Sequence, residues 1–313
     1  MKTFFILFLL AISLQANSSK GKIAYIVSDI SIPFWQIMSK GIKNQASNAG
    51  FEVEVYNSNN MRKEELKSTI SAIKQKVDAI VVSPINSSSC VTVLKLAKKA
   101  NIPAVVADIG ADSKEYVSFI SSKNKNGAYK LGLLLSKKMI EKNLQDKKVA
   151  IVAIPQKRIN GQQRTAGFMK ALNEYEIKSS GIAQQVDFSL QETYDLTTKL
   201  LNQSDSLQAL WLQGSDKYLG ALKALKDHNK EDVLLVTFDA EPEFLELISK
   251  GVIVASAMQQ PFLMGEEAVK AVDNYLSNKE VKKQIKVDVL AISKDNIDKM
   301  LPIIRRNVLG LNE

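Results

Sequence analysis

Short β-rich runs alternate with amphipathic helical patterns along almost the whole chain, from residue 22 to residue 305. Strands that alternate with helices form right-handed βαβ units and parallel sheets. Residues 79–82 are continuously apolar, as a parallel strand buried on both faces should be. Because about ten such units exceed one ordinary doubly wound sheet, the alternation predicts an α/β protein with two Rossmann-like lobes.

The predicted elements spread evenly over the chain, and no low-complexity linker divides them. We therefore expect two lobes joined by several chain crossings rather than two separate domains in series. The predicted strands are residues 22–27, 51–55, 79–82, 102–107, 116–120, 149–154, 182–186, 207–212, 233–238, 252–257 and 285–291. The predicted helices are residues 33–49, 66–73, 91–99, 128–140, 163–172, 192–201, 218–225, 244–249, 264–276 and 296–305.

The N-terminal 18 residues have the composition of a secretory signal peptide. Lys2 precedes an apolar run at residues 4–14, and small and polar residues follow it. The run is too short to span a bilayer, which needs about 20 residues. Cleavage after Ala16 and cleavage after Ser18 both fit the pattern, and the alternative is a buried N-terminal strand or helix. We expect an exported, periplasmic protein without a lipoprotein anchor, because no Cys follows the run.

The chain contains a single His and a single Cys, which excludes several kinds of site. A Cys/His zinc site needs three or four ligands, and an intrachain disulfide needs two cysteines. A Ser-His-Asp triad would require His228, which lies in a polar run that is typical of an exposed turn. Cys90 fits a small buried residue at the start of a helix. We expect no metal, no cofactor and no catalytic residue.

The net charge of +9 comes from 42 basic and 33 acidic residues, but only five of the basic residues are Arg. Bidentate recognition of phosphates and bases favours Arg over Lys. The Lys residues are scattered over predicted helical surfaces, with no run longer than two. This pattern indicates a solvated surface, so we expect no nucleic-acid partner.

Ligands of open parallel sheets bind beyond the carboxyl ends of the strands. The segments in these positions are 28–35, 83–86, 108–110, 156–164, 187–188, 213–216, 238–239 and 259–260. They carry aromatic rings, carboxylates, amides and Arg, which suit a neutral, hydroxyl-rich small molecule. Each residue also has a structural alternative: Asp108 and Asp239 as helix N-caps, Phe34 and Trp35 as core. A carboxylate pair for glycoside chemistry is a further alternative, although the common nucleotide and hydrolase motifs are missing.

Several segments at these positions together resemble one known family. They are 32–35 (IPFW), 100–108 (ANIPAVVAD), 164–168 (RTAGF), 219–225 (LGALKAL), 236–239 (VTFD) and 259–261 (QQP). In order and spacing they resemble the ribose/galactose-type periplasmic sugar-binding proteins, type I, whose fold also forms the core of lac-type repressors. The repressors carry a DNA-binding headpiece before this core, whereas here the first strand directly follows the predicted signal peptide.

The resemblance implies two lobes that close over a ligand about a three-strand hinge, with crossings near residues 121–122, 257–259 and 286–288. The implied N-terminal lobe is residues 22–122 plus 260–286, and the C-terminal lobe is residues 123–259 plus 287–313. Phe34, Trp35 and Phe188 are implied to stack on the ligand. The full set of implied ligand-binding residues is Phe34, Trp35, Ser83, Asp108, Arg164, Phe188, Ser215, Asp239 and Gln259.

Three positions depart from the pattern of pentose binders, because Ile32, Ile109 and Gly214 replace polar residues. A site without those hydrogen-bonding partners should reject ribose, so we expect a more apolar or differently shaped ligand, such as a deoxy sugar, a polyol or a furanosyl signal molecule. The resemblance implies a monomeric solute-binding protein that delivers a sugar-like molecule to an ABC importer. The alternative is a sensor that presents its bound state to a membrane histidine kinase or chemoreceptor.

Overall fold

The computed structural model describes residues 19–311 and shows two α/β lobes, each built on one six-stranded sheet. The predicted signal peptide, residues 1–18, lies outside the described residues. In chain order, the strands are β1 Gly21–Val27, β2 Phe51–Asn57, β3 Ala79–Ser83, β4 Ala104–Ala107, β5 Ser118–Ser122, β6 Lys148–Ala153, β7 Lys178–Gln184, β8 Leu207–Leu212, β9 Leu234–Phe238, β10 Ala255–Met258, β11 Gln284–Val287 and β12 Leu290–Ser293.

Helices cover both faces of the two sheets. They are α1 Pro33–Ala49, α2 Arg62–Lys74, α3 Ser87–Lys99, α4 Asn124–Glu141, α5 Ile159–Glu174, α6 Leu190–Asn202, α7 Tyr218–Asp227, α8 Phe244–Ser249, α9 Pro261–Leu276 and α10 Ile297–Ile303, and a π-helical turn follows at Ile304–Val308. Within residues 19–311, no helix combines the length and the hydropathy that crossing a membrane requires.

The two sheets share one strand order: β2-β1-β3-β4-β5-β11 in the N lobe and β7-β6-β8-β9-β10-β12 in the C lobe. All pairs are parallel except β10 with β12. The central strands β3 and β4 are buried along their whole length, which explains their continuous apolar runs. The two-lobed α/β fold predicted from the strand–helix alternation is confirmed.

The chain passes between the lobes at three places. It leaves β5 for α4 at residues 122–124, leaves β10 for α9 at residues 258–261, and runs from β11 to β12 at residues 287–290. Helix α9 packs on α1 and on β4 and β5 of the N lobe, whereas α4 packs on α5 and β10 of the C lobe. Three short connections on one side of the cleft form the hinge that the resemblance implied.

The predicted elements differ from the observed ones mainly at the hinge and at the N-termini of four helices. The single strand predicted at residues 285–291 is two strands, β11 and β12, because the chain changes sheets at Asp288. Helices α2, α3, α4 and α5 each begin four residues earlier than predicted. Their first turns are largely polar, so apolar periodicity does not mark them.

The single Cys and His are both in structural positions. Cys90 is fully buried in the first turn of α3, as predicted. His228 is half-buried, in contrast to the predicted exposed turn, because α7 extends to Asp227 and His228 is its C-cap. Its Nδ1 lies 2.9 Å from the carbonyl oxygen of Ala224 in the last turn of the helix, where a His ring binds free carbonyl groups.

Candidate functional site

The carboxyl ends of the strands of both lobes face each other across a cleft. A cavity of about 70 Å³ lies in it. Both lobes contribute to its walls, since loops after β1 and β4 supply one wall and loops after β6, β7, β8 and β9 supply the other. The lining residues are Ile32, Phe34, Trp35, Asp108, Ile154, Arg158, Asn160, Arg164, Phe188, Gly214, Ser215, Asp216, Asp239 and Glu241.

Two adjacent aromatic residues form the N-lobe wall at the start of α1. Pro33 occupies the first turn of the helix, where its fixed φ angle suits the helix and its missing N–H has no partner to lose. The rings of Phe34 and Trp35 meet edge to face, with centroids 4.8 Å apart. Trp35 is only 6% exposed and belongs to the N-lobe core, whereas Phe34 is half-buried at the cavity.

The third aromatic residue, Phe188, stands on the C-lobe wall after β7. Its backbone is in the left-handed region, with φ of 58°, a conformation that non-Gly residues adopt infrequently. The guanidinium of Arg158 lies 5.2 Å from the ring centroid, within cation–π distance. Nε of Arg158 also donates a hydrogen bond of 3.1 Å to the carbonyl oxygen of Ile85 in the N lobe. The two lobes are therefore in direct contact across the cleft.

Asp108 follows β4 and is the acidic residue of the N-lobe wall. Its backbone has φ of 67°, and its N–H donates to the carbonyl of Ile120 on β5 at 2.9 Å. Its carboxylate accepts hydrogen bonds from the side-chain amides of Asn160 at 3.1 Å and Gln259 at 3.0 Å. Burial raises the pKa of Asp108, and the charge of Arg164 and other groups opposes part of that rise. Both oxygens of this carboxylate thus have protein partners.

Asp239 follows β9 and occupies the equivalent place on the C-lobe wall. Its φ is 69°, and its N–H donates to the carbonyl of Ala257 on β10 at 2.9 Å. Its Oδ2 lies 3.5 Å from Nη1 of Arg164, but its Oδ1 is buried without a hydrogen-bond partner among the described residues. Burial raises the pKa of Asp239 to about 7; Arg164 and the nearby backbone N–H of Gln259 oppose this, whereas Asp108 and Asp216 add to it.

Arg164 of α5 lies behind both carboxylates and is 3% exposed. Its Nε donates to Oδ1 of Asn124 at 3.0 Å, its Nη1 donates to the carbonyl of Gln213 at 2.6 Å, and its Nη2 donates to Oε1 of Gln259. The guanidinium lies 3.8 Å from the ring centroid of Phe238. Arg164 therefore joins strand ends of the C lobe to two hinge crossings and places positive charge beside the cavity.

Three further polar residues complete the C-lobe wall. Ser215 follows β8 and donates a hydrogen bond of 2.8 Å to Oε1 of Glu241. Burial raises the pKa of Glu241 to about 7; the Ser215 hydrogen bond opposes this, whereas the charges of Asp216, Asp239 and Glu243 add to it. Asp216 pairs with the adjacent Lys217 at 2.8 Å. This wall carries more carboxylates than the N-lobe wall.

Most of the residues implied by the resemblance come together at the cavity, and two lie elsewhere. Gln259 lies behind the wall, bonded to Arg164 and Asp108. Ser83 lies at the end of β3 inside the N lobe, with its Oγ 3.2 Å from the hydroxyl of Tyr25, and it does not line the cavity. The implied residues that do line it are Phe34, Trp35, Asp108, Arg164, Phe188, Ser215 and Asp239.

The three departures from the pentose-binder pattern have different positions. Ile32 and Gly214 line the cavity, so an apolar surface and a bare backbone replace polar groups there. Ile109 is 1% exposed and packs in the N-lobe core instead. Among residues 19–311, no three His, Cys, Asp or Glu side chains come together as a metal site would require.

The ligand-binding set that the resemblance implied leaves out five of the residues that line the cavity, although Arg158, Asn160 and Asp216 lie in segments that follow predicted strands. The five are Ile154, Arg158, Asn160, Asp216 and Glu241. Arg158 and Asn160 lie in the loop after β6, which sequence analysis had marked as a ligand position, and only five Arg occur in the chain. That scarcity was a usable signal for Arg158. The sequence contains no such signal for Glu241, because its approach to Ser215 depends on how two loops meet.

Comparisons with known proteins agree with this geometry. Residues 23–280 match the periplasmic binding protein domain family. The ribose import binding protein of Escherichia coli strain K12 is 27% identical over 288 residues, covering 91% of this chain and 95% of that protein. The corresponding protein of Haemophilus influenzae is 28% identical over 286 residues, covering 91% and 95%.

A solved structure shares the fold. The periplasmic binding protein of the arabinose ABC transporter from Shewanella sp. ANA-3, bound to L-arabinofuranose, superposes with a TM-score of 0.80 at 22% identity, covering 90% of this chain and 94% of that one. The family match extends over most of the chain and includes both lobes and the residues at the cleft. The chain belongs to the periplasmic binding protein family, a family of proteins that bind solutes between two lobes.

Proposed function

We propose that this protein captures a sugar-like small molecule between its lobes and delivers it to an ABC importer. The observation that carries the proposal is the set of residues at the cleft, where strand ends of both lobes bring together three aromatic rings and two equivalent Asp residues. Aromatic faces pack against the C–H faces of a sugar or polyol ring, and carboxylates accept hydrogen bonds from its hydroxyls.

The proposed binding roles follow from the contacts of each residue. Phe34, Trp35 and Phe188 supply the stacking surfaces, and Asp108 and Asp239 accept from ligand hydroxyls. Arg164 and Gln259 hold the two carboxylates in place across the hinge. Ser215 positions Glu241, and Ser83 has a structural role through its hydrogen bond with Tyr25 inside the N lobe.

Closure of the lobes is the proposed signal to the importer. The lobes move about the three crossings, and we propose the lobe limits 22–122 plus 260–286 and 123–259 plus 287–313. A ligand that contacts both walls stabilises the closed state in proportion to its differential affinity for that state. The closed pair of lobes then presents a surface that neither lobe presents alone. The protein acts as a monomer in the periplasm after removal of residues 1–18.

The test is the identity of the molecule that the protein carries. Natively purified protein is denatured, and the released compound is identified by mass spectrometry. A panel of neutral monosaccharides and polyols is then tested by thermal unfolding, where a ligand at 100 times its Kd should raise the free energy of unfolding by about 2.7 kcal/mol. Asp239→Ala protein, purified in parallel, should carry none of the compound. Release of no carbohydrate or polyol, and no response to the panel, would exclude the proposal.

The sensor alternative uses the same cleft and differs only in the partner. Reconstitution separates the two: the liganded protein should stimulate ATP hydrolysis by the importer in proteoliposomes. Stimulation of a sensor kinase with no effect on the importer would favour the alternative. N-terminal sequencing of the exported protein tests the cleavage near residues 16–18.

A further inference from the structure

The cavity contains an acidic group that no basic side chain neutralises. Four carboxylates and two guanidiniums line it. Asp239 has Arg164 at 3.5 Å and Asp216 has Lys217 at 2.8 Å, while Asp108 accepts from two amides and lies in the field of both Arg residues. Glu241 has only the hydroxyl of Ser215. Within residues 19–311 it forms no ion pair.

The surroundings of Glu241 make this lack of a partner significant. The residue is 8% exposed and stands at the cavity wall. A buried carboxylate without a counter-charge is costly to ionise, so its pKa rises unless another group brings a positive charge to it. The neighbouring Asp239 adds a second acceptor, since its Oδ1 is buried and has no partner among the described residues. The Ser215 hydroxyl hydrogen is already used by Glu241.

Besides the guanidiniums of Arg158 and Arg164, the C-lobe wall therefore offers the ligand acceptors and negative charge at Asp216, Asp239 and Glu241. Resting on the proposed function, we propose that the ligand carries a free protonated amine, held between Glu241 and Asp239. An ammonium group has three donors and no acceptor, which matches this wall. The ligand class is an amino sugar or amino polyol, with its C–H face over Phe34 and Phe188 and its hydroxyls toward Asp108.

The electrostatics of the wall agree with this assignment. Burial raises the pKa of Asp239 and of Glu241 to about 7, although Arg164 opposes the rise at Asp239 and the Ser215 hydrogen bond opposes it at Glu241. The charged groups that act on Asp239 are Arg164, Asp108 and Asp216. Those acting on Glu241 are Asp216, Asp239 and Glu243. A bound cation favours the ionised form of both carboxyls, so binding should release protons.

Matched sugars test the proposal. Titration calorimetry at pH 7 compares D-glucosamine and D-galactosamine with D-glucose and D-galactose and with the two N-acetyl derivatives. The free amines should bind at least about tenfold more tightly than the neutral parents. A hydrogen bond between two charged groups contributes about 1.4 kcal/mol or more, which corresponds to a tenfold change in affinity. Acetylation should remove the gain because it removes the charge.

The composition of the compound released from natively purified protein gives a second readout. A basic nitrogen in its formula supports the proposal. A released compound of carbon, hydrogen and oxygen alone, or neutral sugars that bind as tightly as the amines, overturns it and leaves the proposed function intact. If no carbohydrate, amino sugar or polyol is released or bound, both proposals fall.

A matched pair of variants assigns the effect to Glu241. Glu241→Gln keeps the shape and an oxygen acceptor for Ser215 but removes the charge. It should weaken D-glucosamine binding by about tenfold or more and leave the neutral parent unchanged. Glu243→Gln makes the same change of charge at an exposed position two residues away and should bind as the wild type. Equal losses in both variants would show a general field effect and overturn the assignment.

The pH dependence of D-glucosamine affinity distinguishes a charge on Glu241 that binds the ligand from a purely structural role of that residue. Between pH 5 and 7 the affinity of the wild type for D-glucosamine should rise with pH, by up to about tenfold per unit for each proton released. Glu241→Gln should reduce the slope. An affinity for D-glucosamine that is independent of pH in both proteins contradicts the proposal.

Discussion

The two walls of the cleft are built from equivalent positions but differ in how completely their groups are satisfied. On the N-lobe wall, Trp35 is buried in the core and both oxygens of Asp108 have protein partners. On the C-lobe wall, Phe188 is half-buried against Arg158, and one oxygen of Asp239 has no partner among the described residues. Folding therefore satisfies the polar groups of the N-lobe wall more completely than those of the C-lobe wall.

Replacement of Trp35 and of Phe188 by Ala should show the largest difference in stability between the two walls. Trp35→Ala should lower the free energy of unfolding by about 3 kcal/mol, because it removes a large side chain from the N-lobe core. Phe188→Ala should lower it by less than about 1 kcal/mol, since that ring is half-exposed. Both variants should lose the ligand-induced rise in Tm. Urea unfolding and thermal unfolding with and without the released ligand measure the two effects.

Trp35→Phe is the control for folding, because it keeps an aromatic core residue at the same place. It should recover most of the lost stability. Equal losses of stability in Trp35→Ala and Phe188→Ala would contradict the asymmetry of the walls. Normal binding by both variants would show that the cleft is assigned wrongly.

Asp108 of the N-lobe wall should contribute more to the free energy of unfolding than Asp239 of the C-lobe wall. Asp108→Ala leaves the amides of Asn160 and Gln259 without their acceptor and should cost about 2 kcal/mol of unfolding free energy. Asp239→Ala removes a buried carboxylate whose ionisation is disfavoured, so it should leave the unliganded protein at least as stable as the wild type while binding is lost. Equilibrium urea unfolding of the unliganded proteins at pH 7.5 tests this. If Asp239→Ala proves the more destabilising, the C-lobe wall is the structural one.

The stability of the unliganded protein should also depend on pH. The folded-state pKa of Asp239 is raised to about 7 from 3.8, chiefly by burial, so the protonated form is favoured on folding. Its stabilising contribution is present below pH 3.8 and is lost as pH rises through 7, by about 1 kcal/mol per unit. Asp239→Asn should therefore flatten this decline between pH 4 and 7, and Asp108→Asn provides the comparison for the other wall. Parallel slopes in wild type and Asp239→Asn would refute the expectation.

The fold was largely predictable, since it depends on patterns that repeat along the chain. Central strands such as β3 read as apolar runs because both faces are buried. The first turns of α4 and α5 were missed because they carry polar residues. The first turns of α2 and α3 were missed for the same reason, because polar first turns carry no apolar periodicity.

The candidate site was predictable only where residues follow strands directly. Asp108 and Asp239 stand one residue beyond β4 and β9, so strand position alone places them at the cleft. Glu241 stands three residues beyond its strand, and its meeting with Ser215 depends on the path of two loops. Ser83 follows the same strand rule as the two Asp residues, yet its hydroxyl turns to Tyr25 within the lobe.

The sequence by itself determined the α/β architecture, the two lobes and the aromatic and acidic residues at the strand ends, since periodicity and strand order are local properties. Tertiary structure alone decided how those residues are partnered. Hydrogen bonds from Arg164 to three separate segments, and the contact of Arg158 with Ile85 of the other lobe, join residues far apart in the chain. Burial and pairing set the charge of each carboxyl, and both are properties of the folded cleft.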